Sequence, residues 1–149
     1  MGIQWRNEMA IDDGLIDRDH HLLIAVINEF CTPGPAGQEL VRMREVLNRL
    51  DDYTRAHFSR EESLQVIVRY PYAAAHHSQH KNLIRTLGDI RARVDAAADK
   101  SENEIHALRS QIDGLLHDWL VDHIIRSDLR LKPYASAWRN HAITMQPLG

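Results

Sequence analysis

Apolar residues recur at steps of three and four along four successive segments of this 149-residue chain, and that period restricts it to a fold of packed helices. The first segment, from about Asp17 to Phe30, aligns Ile16, His20, Leu23, Ile27 and Phe30 on one face. The stretch TPGPAG, Thr32 to Gly37, ends it, because two prolines and two glycines do not continue a helix. The second segment, about Gln38 to Arg69, aligns Leu40, Met43, Leu47, Leu50, Thr54, His57, Glu61, Leu64 and Val68, and Tyr70-Pro71 breaks it. The third, about Tyr72 to Ala98, aligns His76, His80, Leu83, Leu87, Ile90 and Val94. Ser101 and Glu104 form a capping box for the fourth, in which Ile105, Leu108, Ile112, Leu116, Trp119 and His123 run to about Arg126, with Pro133 stopping any continuation.

Short connections and the lack of alternating strand patterns predict an all-α fold, an antiparallel up-down-up-down four-helix bundle with an irregular N-terminal arm carrying Trp5. Residues 1–139 are expected to form this single domain and 140–149 a loose tail. A net charge of −3 lacks the basic footprint of a nucleic-acid binder. No run of residues has the length and apolarity of a signal core or a membrane span, and the single cysteine, Cys31, cannot form an internal disulfide. These features predict no nucleic acid, no membrane and a cytoplasmic protein, with Cys31 a small core filler.

Six residues in the apolar stripes do not belong in an oily core: His20, His57, Glu61, His76, His80 and His123. In an up-down bundle they all fall at the same end, because each helix reverses direction. Asp128, off the strict stripe, joins them if it turns inward where helix four frays. Left unsatisfied, seven buried polar groups would cost roughly 10 to 20 kcal/mol at about 1 to 3 each. That exceeds or consumes the roughly 5 to 15 kcal/mol of net stability typical of a domain. Five imidazoles cannot satisfy one another, and seven ligands exceed the four of a tetrahedral zinc, so a two-metal site bridged by carboxylates is expected, with iron suited to the donor set. His77 is rotated about 100° from His76 and is expected at the surface or behind a ligand, while His106, His117 and His141 are expected to be exposed.

The ordered motifs IDRDHHLL, HFSREE, YPYAAAHHSQH and WLVDHIIRSD, spanning residues 16–128, resemble those of the hemerythrins, specifically the single-domain bacterial members. Myohemerythrin is itself an up-down four-helix bundle, so the resemblance implies the same fold. The resemblance implies two non-haem iron ions. His76, His80 and His123 would hold one, His20 and His57 the other, with Glu61 and Asp128 bridging beside an oxo or hydroxo group. The second iron would keep an open position for dioxygen, or for nitric oxide or a small anion.

Reversible dioxygen binding for storage, delivery or scavenging, rather than enzymatic turnover, is the expected function. Di-iron oxidases of the bundle type use mostly carboxylates with Glu-x-x-His pairs, which are absent from this pattern. Phe58, Trp119, Leu120 and Ile124 flank the ligands and are expected to form a dry oxygen pocket. Two positions depart from the family pattern, Gln65 where methionine is common and Leu83 where phenylalanine is common, and Gln65 places a hydrogen-bond donor near the pocket. The alternatives are a sensor of oxygen, nitric oxide or redox state acting on a partner protein in trans, and a di-iron peroxidase or nitric oxide reductase.

Overall fold

The computed structural model describes the backbone of residues 2–144 and the side chains of residues 2–138. Four long helices form the expected bundle: α1 (Leu15–Cys31), α2 (Glu39–Val68), α3 (Ala73–Asp95) and α4 (Glu102–Asp118). A π-helical segment, Trp119–Ile125, extends α4 and leads through a single turn, α5 (Arg126–Asp128), and a 3-10 turn, Leu129–Leu131, into α6 (Lys132–Thr144). No strand occurs among the described residues, and none of their helices is long and apolar enough to cross a membrane.

Most of the stripe residues form the core; at the end of α2, Leu64 and Val68 are only half-buried and Gln65 takes the buried place. Leu23, Ile27, Met43, Leu47, Leu50, Leu87, Ile112 and Leu116 are all buried, and they fill the middle of the bundle and the end opposite the polar residues. Their apolar burial is what stabilises the bundle, at roughly 1.5 to 3 kcal/mol for each large side chain removed from water. At the start of α4, Ser101 Oγ accepts the Glu104 backbone N–H at 3.2 Å and Glu104 Oε1 answers the Ser101 hydroxyl at 3.0 Å, so the capping signal read from the sequence marks a real helix start. At the end of α2, Arg69 adopts a left-handed conformation (φ 55°), and the Tyr70 N–H donates back to the Gln65 carbonyl at 2.9 Å. This αL turn, followed by Pro71, reverses the chain and sets the first turn of α3 opposite the last turns of α2.

The N-terminal arm is tied down as Trp5 suggested. Its ring stacks on His21 with centroids 4.0 Å apart, and Asn28 receives the Ile3 N–H at 2.7 Å while donating to the Ile3 carbonyl at 2.8 Å. Asp17, buried at the start of α1, accepts the backbone N–H groups of Ile11 and Asp13, both at 2.8 Å. Beyond the bundle, Pro133 does not stop the chain. It occupies the second position of α6, where its missing N–H has no helical partner to lose. Residues 140–144 of the expected tail are therefore helical in backbone, and 145–149 lie outside the described residues.

Candidate metal centre

Six of the seven expected ligands meet at one end of the bundle. His20 comes from the second turn of α1, His57 and Glu61 from adjacent turns of α2, His76 and His80 from the start of α3, and Asp128 from α5. All six are buried, His20, His57 and Glu61 completely. They form two overlapping quartets, His20–His57–Glu61–Asp128 and Glu61–His76–His80–Asp128, and within each quartet one donor atom from every residue lies within 4.8 Å of the others. Glu61 and Asp128 belong to both, the placement required of carboxylates lying between two cations.

The contacts show how the charges balance. Asp128 Oδ2 lies 2.8 Å from His20 Nε2 and 3.0 Å from His57 Nε2, and Asp128 Oδ1 lies 3.0 Å from His76 Nε2. Glu61 Oε1 lies 3.0 Å from His76 Nδ1 and 3.4 Å from His80 Nε2, and Glu61 Oε2 lies 3.1 Å from His57 Nε2. Several of these approaches are close without being directed: Glu61 Oε2, Asp128 Oδ1 and His80 Nε2 are buried and have no hydrogen-bond partner. Burial alone would drive His76 toward its neutral form, but the Asp128 and Glu61 carboxylates outweigh it and raise its pKa to about 9. The same contest raises His57 well above its ordinary value, with Asp128, Asp19 and Glu61 as the opposing partners. Asp128 is held well below the carboxylate range, since hydrogen bonds from His20, His57 and His76 overcome its complete burial.

This donor set fits a metal centre. Imidazole nitrogens and carboxylate oxygens converge, and three orphaned buried lone-pair atoms are costly unless a cation takes them up. An outer ring of residues orients the imidazoles. Asp19 Oδ2 lies 3.1 Å from His57 Nδ1, and Asp19 is itself gripped by Arg60 through two hydrogen bonds of 2.8 and 2.6 Å. Glu62 Oε1 lies 3.1 Å from His80 Nδ1 and 2.5 Å from His77 Nδ1. His77 is thus exposed, as its rotation off the stripe suggested, and shares the Glu62 carboxylate with His80. The sequence reading missed Asp19 and Glu62 in these roles. The available signal was local: each sits next to a residue of the cluster in the chain, one residue before His20 and one after Glu61.

His123 is the exception. It is exposed and stands outside both quartets, lining a groove between α3 and α4 with Gln79, Leu83 and Trp119. The expected stripe assumed an unbroken α-helix to about Arg126, whereas the π-helical segment has i→i+5 spacing. Residues five apart therefore share the inward face: Trp119 with Ile124, and Leu120 with Ile125, are all buried. Position 123 is turned outward by the same change of register. The shift also carries Asp128 inward to 1% exposure, a placement for which the α period had no account.

The four expected pocket residues are buried, at 5% exposure or less. Phe58 lies flat on His80, with ring centroids 3.8 Å apart and planes 6° off parallel, and tilts against His57 at 5.7 Å. Trp119 donates its indole N–H to the Leu83 carbonyl at 3.0 Å, fastening the π segment to α3. Gln65, 1% exposed, donates to Glu61 Oε1 at 3.4 Å and touches His76 Nδ1. Away from the site, burial and then the neighbouring Asp113 push the Cys31 thiol up to about 11, so the half-buried cysteine stays protonated at neutral pH.

A helical bundle that gathers buried histidines and two shared carboxylates at one end defines a class of cation-binding proteins. The Hemerythrin HHE cation binding domain family matches residues 12–135 of the chain, which therefore belongs to the hemerythrin family. Among its relatives is a bacteriohemerythrin of Pseudomonas aeruginosa (strain LESB58), 30% identical over 124 residues, covering 83% of this chain and 75% of that protein. The bacteriohemerythrin of Stenotrophomonas maltophilia (strain R551-3) is 28% identical over 92% of this chain and 82% of its own length. That of Methylococcus capsulatus (strain ATCC 33009 / NCIMB 11132 / Bath) is 26% identical over 87% of this chain and 93% of its own.

Proposed function

We propose that the protein holds two iron ions in this cluster and binds dioxygen reversibly, for storage, delivery or scavenging rather than for catalytic turnover. The observation that carries this is the pair of buried quartets sharing Glu61 and Asp128. His20 and His57 would serve one ion and His76 and His80 the other, with the two carboxylates between them. We assign His123 as a further ligand to the ion held by His76 and His80. Supporting this, it belongs to the π-helical segment, an irregularity that recurs at functional sites. The assignment requires the His123 side chain to leave the groove when metal binds.

When bound, a reduced iron pair would supply the electrons for holding dioxygen. The chain does the rest. Asp19 and Glu62 fix the rings of His57 and His80, so that each imidazole presents a defined nitrogen. Phe58, Trp119, Leu120 and Ile124 keep bulk water from the ligands. Two carboxylates offset part of the cationic charge while leaving a ligand set richer in neutral imidazole than that of bundle oxidases, which favours holding dioxygen over activating it. Nitric oxide and small anions are the further ligands we assign to the open position.

The test is to load the protein with iron, reduce it anaerobically, add oxygen and follow the absorption spectrum through oxygen removal. Elemental analysis showing about two iron ions per chain, with return of the ferrous spectrum, is the expected result. Direct conversion to a ferric form without a persistent oxygen adduct would refute carriage and favour a sensor or an enzyme.

A further inference from the structure

We propose that Gln79 is a positioning residue for the shared carboxylate Asp128: clasping the end of the π-helical segment from α3, it holds the register that turns Asp128 into the cluster. The proposal rests on the metal-site reading above. Gln79 lies on α3 one residue before His80, half-buried at the rim of the groove between α3 and α4. Its amide nitrogen donates to the His123 backbone carbonyl at 3.1 Å, and its amide oxygen accepts the Ser127 hydroxyl at 2.8 Å. One side chain therefore spans the junction at which the π-helical segment, ending at Ile125, gives way to α5 and Asp128. One turn further along α3, the Leu83 carbonyl receives the Trp119 indole N–H, so the same face of α3 fastens the segment at both ends.

The register needs such support. A π turn takes in one residue more than an α turn, so its loss would rotate all that follows by about 100° relative to all that precedes. Asp128 would then leave the cluster, since an unbroken α period puts it off the inward stripe of α4. Buried Trp119, Leu120, Ile124 and Ile125 supply the packing that favours the π spacing, and Gln79 supplies polar contacts at its end. An amide suits the position because it donates and accepts at once, whereas a carboxylate only accepts and an ammonium only donates. The bonds go to a backbone carbonyl and to the residue directly before Asp128, so the clasp does not compete with a cation for the carboxylate. It favours binding by pre-organising a ligand, the direction in which Asp19 and Glu62 act on their imidazoles.

The test compares Gln79→Leu, which keeps the bulk of the side chain and neither hydrogen bond, with wild type and with Ser127→Ala, which removes one of the two. Leu47→Ala, a core truncation about three turns before His57 on α2, is the structural control. Amide hydrogen exchange of Ile125 to Asp128 is followed in chelator, and Co(II) affinity and ligand-field absorption are followed by titration. Gln79→Leu should speed exchange at those amides about tenfold while the middle of α2 keeps its protection. It should also bind Co(II) about tenfold more weakly, with a shifted ligand-field spectrum at saturation because a carboxylate oxygen is displaced. Ser127→Ala should act in the same direction to a smaller extent and, since both changes break one clasp, add nothing in the Gln79→Leu background. Leu47→Ala should lower the melting temperature and leave the spectrum as in wild type. Wild-type exchange at Ile125 to Asp128 in Gln79→Leu, an unchanged Co(II) affinity and spectrum, an equal spectral shift in Leu47→Ala, or losses for Gln79 and Ser127 that multiply would overturn the proposal. Failure of the wild type to bind Co(II) refutes the metal-site reading instead, and the exchange rates of Ile125 to Asp128 then support or overturn the clasp by themselves.

Discussion

Asp19→Ala removes a side chain that would not be ligated to any ion, yet its effect should reach the site. His57 is fully buried, and its Nδ1 has Asp19 Oδ2 at 3.1 Å. Without that carboxylate the buried ring N–H has no acceptor, a loss of about 1 to 3 kcal/mol. Arg60 also loses its bidentate partner, but its side chain is 41% exposed and water replaces the carboxylate, so this part amounts to at most about 1 kcal/mol. The sum, about 1 to 4 kcal/mol, corresponds to a fall of roughly 3 to 15 °C in the melting temperature of a chain this size. Metal affinity should fall about 10- to 100-fold, because a histidine free to turn is a poorer ligand. Asp19→Asn, which keeps an acceptor oxygen but not the charge, should lose about half as much stability, the hydrogen bond being worth roughly as much as the charge that strengthens it. Thermal denaturation in chelator and metal titration of the three proteins measure both quantities. Asp19→Ala melting within about 2 °C of wild type and binding metal as tightly would refute the orienting role.

Two further outcomes follow from the same geometry. The metal-free protein should lose stability as pH rises: the folded-state pKa of His76 is raised from 6.5 to about 9, so its contribution is complete below about 6.5 and disappears on the way to about 9. At 1.36 kcal/mol per unit this is worth about 3 kcal/mol, and His57 adds to it in the same direction. Melting temperatures in chelator that stay level or rise between pH 6 and 9 would contradict it. Glu61→Ala and His76→Ala should abolish iron retention by elemental analysis, whereas His77→Ala, which removes only a half-exposed contact to Glu62, should keep its iron and lose less than about 1 kcal/mol. Equal iron loss in all three would overturn the register that separates His76 from His77.

Much of this protein was legible one helix at a time. Amphipathic period is a local property, so the four helices, the Ser101 cap and the inward placement of His20, His57, Glu61, His76 and His80 followed from spacing alone, and reversal of direction between helices was enough to put them at one end. Tertiary structure decided what spacing cannot encode. The π-helical segment changes the period within α4's continuation, turning His123 to the groove and Asp128 to the core, because buried Trp119, Leu120, Ile124 and Ile125 pack as pairs five residues apart. The partnerships of Asp19 with His57 across 38 residues, and of Glu62 with His80 across 18, exist only once the helices are side by side. Likewise Gln65 reads as one more polar residue near the end of α2 until α3 brings His76 against it. A periodic pattern determines which face of a helix is buried; which atoms then meet depends on the register between helices, and that is set by packing of the whole bundle.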